Sequence, residues 1–367
     1  MKRRAFMKGA ATAGVATAAA TAASFPMPAV SQGLKEWKMA MTWPKNTPGL
    51  GIAAQRVADR IEMFSDGKIK IKIFGAGELF PAFQCWDAAS AGDTDMYMGA
   101  EYYWQGKHKA LNFFTTVPFG LTGSEHYAWL NFGGGQELWD ELEGGFNLKS
   151  FANAWTGVQF GGWFRKEISS LEDLKGLKFR MPGIGGEVLR QFGVAVVNLP
   201  GAEVFPALQS GTIDGSEWVG PWNDTMFGFH KIAKYYYAAG FHEPGTIGSF
   251  GINKGVWDGL NKTEQEMITA VMQAEGQYQT SEYRARDSAA LAKLVSEHGV
   301  QVRQFTDEMY KEFGKISGEV VNAMANEDPF TKKVFESYSA FRKDQVALSK
   351  IQESKYLRAR ELPFKWA

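Results

Sequence analysis

Large apolar side chains alternate with smaller or charged ones over residues 36–41, and again over residues 68–74. A period of two predicts a half-buried strand at each place. Over residues 48–64 the apolar positions instead recur at helical spacing, and a short helix around residues 84–91 precedes a strand around residues 95–99. Strands separated by helices predict parallel pairing in an α/β sheet.

A second series of the same kind begins near Val158. Two α/β units in tandem predict two lobes around a cleft, and ligands bind in such clefts at the ends of the strands. The elements expected in the second series are a short helix capped by Ser170 and running to Lys175, strands over residues 177–180, 194–198 and 212–218, and helices over residues 187–192 and 204–210.

The last third of the chain has the pattern of long helices. Thr263 and Glu266 have the spacing of a capping box, and we expect a helix from there to His298, ended by Gly299. Further helices are expected over residues 307–325 and from residue 328 to residue 360. A long final helix needs an apolar partner surface, so it is a candidate dimerisation element.

The first residues have the pattern of an export signal. Arg3 and Arg4 are followed by Phe6 and Lys8, and residues 9–23 are a weakly apolar run of Ala, Thr, Gly and Val. This run is too short to span a bilayer, and the arginine pair is typical of twin-arginine signals, which direct folded proteins to export. We therefore predict a twin-arginine signal peptide over residues 1–31.

Composition excludes several classes of function. The leader holds four basic and no acidic side chains, so the rest of a chain with 40 of each is slightly acidic and offers no nucleic-acid-binding face. Cys85 is the only cysteine and lies in an apolar helical pattern, which predicts a core residue. The five histidines lack metal-binding spacing. Neither a catalytic triad nor a zinc site is expected.

Three places could carry chemistry. Arg180 ends a strand and can present two parallel donors to a carboxylate, although it could equally be a surface arginine. Glu217 and Trp218 also follow a predicted strand, where they could form a polar and an apolar wall or be a surface acid and a core residue. Residues 183–186 begin like a dinucleotide fingerprint, but Val188 occupies its third glycine position, so a turn is expected.

Three sequence blocks resemble the solute receptors of TRAP transporters, the DctP-type binding proteins. They are LKGLKFRMPG (174–183), AEVFPALQSGTIDGSEW (202–218) and INKGVWDGL (252–260). The Glu217-Trp218 pair, the FHEPG motif at residues 241–245, the leader and the long final helix resemble the branch that binds 2-oxo or 2-hydroxy acids such as pyruvate and lactate.

This resemblance implies a two-lobed periplasmic binding-protein fold of type II-like α/β architecture, with long C-terminal helices. Lobe I is expected to hold residues 32–157 and about 246–290, and lobe II residues 158–245 and about 291–326. Residues 327–367 would be the C-terminal helix.

The resemblance also implies roles for individual residues. Arg180 matches the arginine that clamps the ligand carboxylate. Gln159 and Glu217 match side-chain ligands of a cation that bridges to the ligand, and Trp218 would add its backbone carbonyl. Oxygen donors suit sodium or calcium, with sodium slightly preferred. The remaining candidates are Glu243 beside the cation or ligand, Tyr102 or Tyr103 on the acid, and Phe160, Phe164 and Trp222 in the pocket wall.

The expected function is that of a periplasmic receptor, and not of an enzyme. It would bind a small 2-oxo monocarboxylate, deliver it to the membrane subunits of the transporter and form a homodimer. A receptor for a 2-hydroxy acid or another carboxylate is the nearest alternative. An exported redox enzyme is a more distant one, because the sequence lacks a cysteine cluster and a complete GxGxxG.

Overall fold

The computed structural model describes residues 33–363. The predicted signal peptide lies outside them. No helix among the described residues combines the length and the apolar character that crossing a bilayer requires.

Eleven strands are present in the described part of the chain. They are β1 (Lys35–Met41), β2 (Ile69–Phe74), β3 (Met96–Gly99), β4 (Leu148–Trp155), β5 (Gly162–Phe164), β6 (Lys178–Arg180), β7 (Ala195–Val197), β8 (Gly215–Ser216), β9 (Tyr235–Ala238), β10 (Ile247–Asn253) and β11 (Gln301–Gln304).

The same residues form twelve α-helices. They are α1 (Leu50–Phe64), α2 (Cys85–Ala91), α3 (Gly123–Phe132), α4 (Gly135–Gly144), α5 (Gly183–Gln191), α6 (Gly201–Ser210), α7 (Pro221–Phe227), α8 (Lys254–Asp258), α9 (Lys262–Ser296), α10 (Asp307–Ala325), α11 (Pro329–Ile351) and α12 (Glu353–Ala359). A 3₁₀ turn over Glu101–Trp104 follows β3.

The first sheet has the strand order β2-β1-β3-β10-β4. β1 pairs in parallel with β2 and β3, whereas β10 runs antiparallel to β3 and β4. The alternation in β2 explains its place at the edge, because Ile69 and Ile73 are buried while Lys70 is exposed to solvent. The predicted α/β pattern of this half is confirmed.

The second sheet has the order β11-β9-β5-β8-β6-β7. Its parallel pairs are β6 with β7 and β8, and β9 with β11. β5 is antiparallel to both β8 and β9. The carboxyl ends of β6 and β8 therefore lie side by side, with Arg180 opposite Ser216 in the register.

Two connections carry the chain between the sheets. Residues 156–161 lead from β4 into β5, and residues 239–246 lead from β9 back to β10. They run next to each other, because Thr156 N donates to Thr246 O at 3.1 Å and Gln159 N donates to Glu243 O at 3.2 Å. Gln159 and Glu243 on these connections are both buried.

The helix α9 contacts elements of both halves. Its Glu275 is fully buried and accepts bonds from Arg56 and Arg60 of α1, at 2.6 and 2.9 Å. Farther along, Asp287 accepts a bond from the backbone N–H of Trp222 in α7, at 3.0 Å. These polar contacts, rather than apolar packing alone, fix the helix across the two sheets.

Several predicted elements need correction. Residues 183–186 are not a turn but the first turn of α5. The strand expected over residues 212–218 is reduced to Gly215–Ser216, because the chain turns into the site directly afterwards. The expected single final helix is interrupted at Gln352, which separates α11 from α12.

The capping box of α9 is also displaced from its predicted place. Asn261 is the N-cap, its side chain accepting from Glu264 N at 3.0 Å, while Glu264 Oε2 accepts from Asn261 N at 3.0 Å. The pair Thr263 and Glu266 has the right spacing, but it begins inside the first helical turn. Spacing alone cannot distinguish the two registers.

Replacing Asn261 with Ala should lower the free energy of unfolding by about 1 kcal/mol, because a helix N–H loses its acceptor. Urea unfolding followed by circular dichroism measures this. Thr263→Ala is the matched control, since Thr263 is exposed and lies two residues farther along. An equal loss in both variants would contradict the observed cap.

Candidate functional site

The centre of the site is an ion pair between Arg180, the last residue of β6, and Glu217, the residue after β8. Both side chains are 1% exposed or less. Arg180 Nη1 donates to Glu217 Oε1 and, at 3.3 Å, to the Glu217 carbonyl, while Nε donates to Leu199 O at 3.1 Å. Nη2 is buried without a partner. Nε and Nη1 of the guanidinium are therefore held by the protein, and Nη2 remains free to bind a ligand.

The connection 239–246 adds His242 and Glu243 to this pair. His242 Nε2 lies 3.3 Å from Glu217 Oε2, a hydrogen bond when Nε2 carries the proton. A carboxylate oxygen from each glutamate and a ring nitrogen of His242 lie within 4.8 Å of one another. All three side chains are buried, so the cluster is shielded from water.

Gln159 reaches the cluster from the adjacent connection. Its Nε2 donates to Thr156 Oγ1 at 3.0 Å and to Thr246 Oγ1 at 2.7 Å, and the Thr246 hydroxyl donates in turn to Glu243. Gln159 Oε1 is buried without a partner. The amide is thus oriented by its nitrogen, and its oxygen remains free as an acceptor.

Tyr102 and Tyr103 lie beside the same cluster, on the 3₁₀ turn after β3. Their rings stack with centroids 4.8 Å apart. Burial raises the pKa of both phenols, and the charges of Glu243, Glu217 and Arg180 act on both. A Cβ on Gly183, the first residue of α5, would lie 2.5 Å from the Tyr102 ring. The first half of the molecule therefore closes directly onto the second.

Burial also changes the ionisation of the cluster. It raises the pKa of Glu217 to about 7, against the opposing charge of Arg180, and it raises the pKa of Glu243 to about 7 with help from Glu217. The pKa of His242 falls to about 4 for the same reason, so the imidazole is neutral near pH 7. The pKa of Arg180 is raised by Glu217 despite burial, so the guanidinium stays charged.

The donors of this cluster fit a hard cation. Carboxylate and amide oxygens are the ligands that sodium and calcium prefer, and Glu217, Glu243 and Gln159 supply them. The free Gln159 oxygen is an unused acceptor in an otherwise hydrogen-bonded group. His242 offers a ring nitrogen as a further possible ligand. The sequence analysis identified the FHEPG motif that contains His242 but assigned no role to this residue.

Asp224 of α7 fixes the loop that carries Trp218. Its Oδ1 accepts from the N–H groups of Val219 and Gly220, both at 3.1 Å. Its Oδ2 accepts from Trp163 Nε1 and Tyr236 Oη, both at 2.8 Å. The sequence analysis missed this residue, because a carboxylate that binds a loop to two strands has no signature in a linear pattern.

The Trp218 ring is brought to the cluster, with the Arg180 guanidinium carbon 5.0 Å from its centre. Three other aromatic candidates have aromatic packing partners of their own. Phe160 stacks on Tyr236 at 4.2 Å, and the Trp222 ring lies against Tyr283 of α9 at 5.5 Å. Phe164 stacks on the Phe179 ring at 4.8 Å in the core of the second sheet. The pocket-wall assignment of Phe164 is therefore corrected, because its ring is enclosed by other core rings.

Two α/β halves, joined by crossing segments and enclosing a buried arginine, two glutamates and a glutamine, define a two-lobed solute-binding protein. Residues 39–328 match the bacterial extracellular solute-binding proteins of family 7, DctP, and the chain belongs to that family. The predicted family and the predicted fold are both confirmed. Receptors of this family are periplasmic and work in transport.

Individual relatives match over nearly their whole length. The chain is 38% identical to the monocarboxylate 2-oxoacid-binding periplasmic protein of Nostoc sp., over 97% of this chain and 98% of that protein. It is 38% identical to a TRAP solute-binding protein of Pseudoalteromonas atlantica solved with sodium and pyruvate, with a TM-score of 0.86 over 90% of this chain and 100% of that one.

A third relative comes from Bordetella bronchiseptica. It is 33% identical and has a TM-score of 0.87 over 89% of this chain and 97% of that one. It was solved as a mixed-occupancy dimer, with copurified calcium and picolinate in one active site and the other site empty of ligand.

Replacing Arg180 with Ala should destabilise the protein by about 3–5 kcal/mol, because it leaves the buried Glu217 carboxylate without its countercharge. Adding Glu217→Gln to that variant should recover part of the loss, since a neutral amide needs no countercharge. Urea unfolding of both single variants and the double variant gives the coupling energy. Strictly additive costs would show that the two side chains do not interact.

Proposed function

We propose that this protein is a TRAP receptor for a small 2-oxo monocarboxylate, such as pyruvate or 2-oxobutyrate. The observation that carries the proposal is the pair of unused polar atoms in the buried cluster, Arg180 Nη2 and Gln159 Oε1. One is a cationic donor and the other a neutral acceptor. A carboxylate satisfies the first, and a cation satisfies the second.

A 2-oxo acid supplies the complementary groups in the smallest volume. Its carboxylate would accept from Arg180, and its two neighbouring oxygens would suit a hard cation that Gln159, Glu217, Glu243 and the Trp218 carbonyl would hold. When bound, the cation supplies electrostatic attraction to both oxygens. Tyr102 and Tyr103 border the same space and limit the length of the ligand.

Charge balance bears on the identity of the cation. With both glutamates ionised, the Arg180 charge and a bound monoanion leave a deficit of two positive charges. A divalent ion such as calcium makes the buried group neutral, whereas sodium leaves one negative charge uncompensated. With one glutamate protonated, which a pKa of about 7 permits, sodium makes the group neutral instead, and the relatives were solved with either ion.

We infer that the protein returns its ligand unchanged and is not an enzyme. The family consists of transport receptors, and the ligand would be held by paired charges that require no reacting group. Cys85, the only cysteine, is buried, and burial raises the pKa of its thiol far above the usual value, which disfavours a nucleophilic thiolate.

A 2-hydroxy acid such as lactate is the second candidate. His242 Nδ1 is buried without a hydrogen-bond partner, and on a neutral ring protonated at Nε2 it would accept a hydrogen bond from a hydroxyl group, which a 2-oxo acid does not offer. The same arginine and cation would hold the carboxylate in both cases. Binding of a 2-hydroxy acid would therefore differ from binding of a 2-oxo acid in one hydrogen bond, which the hydroxyl group on the second carbon donates.

Calorimetry with the chelator-treated protein tests the ligand and the cation together. Pyruvate should bind after calcium or sodium is restored and should not bind in potassium alone. Glu217→Gln should weaken pyruvate binding about 100-fold or more, because a cation ligand loses its charge. Glu172→Gln, whose side chain is 76% exposed, is the control and should bind normally.

Two results would reject this function. One is the failure of every 2-oxo and 2-hydroxy acid, with tight binding of a sugar acid instead. The other is unchanged pyruvate affinity after complete cation removal. Tighter binding of lactate than of pyruvate would favour the second candidate.

We also propose that the receptor is a homodimer joined through α11 and α12. These helices expose apolar side chains near the end of the chain, among them Leu348, Ile351 and Tyr356, of which Ile351 is 78% exposed. An apolar helix of this kind is stable in water when a second surface covers it. The Bordetella relative was solved as a dimer, which supports the dimeric state.

The double variant Ile351→Glu, Tyr356→Glu should be monomeric, because two buried charges oppose association. Size-exclusion chromatography with light scattering measures the mass. Met63→Glu on α1, where the side chain is 62% exposed, is the control and should remain dimeric. A wild-type protein that is monomeric at all concentrations would rule out the dimer.

Export by the twin-arginine route is proposed from Arg3 and Arg4. The support is the sequence pattern of the leader, together with membership of a periplasmic family. Such a route suits a receptor that folds before translocation.

A further inference from the structure

A second pair of carboxylates is buried in the first half of the molecule. Glu101 begins the 3₁₀ turn after β3, and Glu143 lies near the end of α4. Both side chains are 0% exposed. No ion pair found within residues 33–363 includes either of them, and apart from each other their hydrogen-bond partners are all uncharged. Two buried anions without a countercharge are strongly unfavourable.

A tyrosine hydroxyl joins the two carboxyl groups. Tyr97 Oη lies 2.6 Å from Glu101 Oε1 and 3.2 Å from Glu143 Oε1. Glu143 also accepts from Trp86 Nε1 at 3.4 Å and from the Ser150 hydroxyl. Glu143 thus has donors on both oxygens, as an anion needs, whereas Glu101 Oε2 has no partner.

One proton on Glu101 satisfies this network. Its O–H then donates to the Tyr97 oxygen, and the Tyr97 hydroxyl donates to Glu143. With both acids ionised, the single Tyr97 proton would have to serve two anions. The geometry therefore favours one neutral and one charged carboxyl group, joined through the phenol.

The other groups that face Glu101 and Glu143 supply no positive charge that would allow both carboxyl groups to be ionised. From α2, the Cys85 thiol faces Glu101, and its pKa is raised chiefly by burial. From β10, the Ser249 hydroxyl faces Glu101, and from β4 the Ser150 hydroxyl faces Glu143. Burial and the charge of Glu143 raise the pKa of Glu101 well above its usual 4.5.

The 3₁₀ turn Glu101–Trp104 connects this pair to the ligand site. Glu101 bonds to Tyr97, and the Trp104 ring packs edge-on against Tyr97 at 5.3 Å. The two residues between them, Tyr102 and Tyr103, lie beside Arg180 and the site glutamates. Both ends of this turn are therefore held by Tyr97. Its first residue is the buried acid Glu101, and its two middle residues are the tyrosines beside the ligand site.

We propose that Glu101 is a positioning residue that carries a buried proton, shares it with Glu143 through Tyr97, and thereby fixes the turn that presents Tyr102 and Tyr103 to the ligand. Loss of the proton leaves two repelling anions under this turn and weakens ligand binding. The effect on binding rests on the proposed receptor function, whereas the proton on Glu101 does not.

The first test is stability against pH for the wild type and Glu101→Gln, without ligand. An acid that keeps its proton in the folded state but loses it near 4.5 when unfolded makes the wild type less stable as pH rises. The amide cannot lose a proton. The unfolding constant of the wild type relative to the variant should therefore rise about tenfold per pH unit through the neutral range.

A purely structural role predicts a different result, namely a difference between the two proteins that does not change with pH. That result would overturn the proposal. Infrared difference spectra give an independent readout, since the wild type should show one carbonyl band of a protonated carboxylic acid more than Glu101→Gln does, while the bands of Glu217 and Glu243, whose pKa is about 7, cancel in the difference. Glu141→Gln, on the exposed side of α4, is the control and should keep the band.

The second test is pyruvate affinity against pH, with cation present throughout. Glu101→Ala should weaken binding about tenfold at neutral pH, as the loss of an outer partner of a ligand-binding residue does, and Glu101→Gln should restore it. The wild type should weaken toward alkaline pH more than Glu101→Gln does. Equal pH profiles for the two would overturn the coupling to the ligand site.

The tests separate the two proposals. If the wild type binds no 2-oxo or 2-hydroxy acid, but the infrared band and the pH-dependent stability difference are present, the receptor function fails and the buried proton stands. If pyruvate binds normally and the extra carbonyl band is absent from the wild type, the receptor function stands and the proton assignment fails.

Discussion

The cost of burying charge governs the structure around the site. Arg180 and Glu217 are removed from water, and each is tolerable there because the other is present. Every further group at this place is arranged around the pair, with His242 on the second oxygen of Glu217 and a backbone carbonyl on the arginine. In the proposed complex, the ligand and the cation use the polar atoms that this arrangement leaves without a partner.

The topology makes this pairing geometrically simple. Arg180 and Glu217 end neighbouring parallel strands, so both side chains emerge at one edge of the second sheet. The two connections that cross between the sheets place Gln159 and Glu243 against that edge, held to each other by backbone hydrogen bonds. The first sheet contributes the tyrosine turn. For the proposed receptor, a site built from both halves links ligand binding to a hinge motion between them.

The two buried acidic groups resolve the same electrostatic problem in different ways. Around Arg180, the negative charges are balanced by a guanidinium and, in the proposed complex, by a metal ion. Around Glu101 and Glu143, the described residues offer no cation, and a proton is the smallest charge that can take its place. The turn between these groups makes each sensitive to the packing of the other.

The sequence by itself determined the α/β class, the two series of elements and the family, because these depend on local periodicity and on contiguous blocks. It also named Arg180 and Glu217, which lie in those blocks, and Gln159, whose role the family resemblance implies. Tertiary structure alone decided that Arg180 and Glu217 pair with each other, that His242 joins them, and that Phe164 belongs to the core. The reason is physical: a linear pattern records which face of an element is apolar, whereas the partner of a buried charge is set by contacts between segments that are distant in the chain.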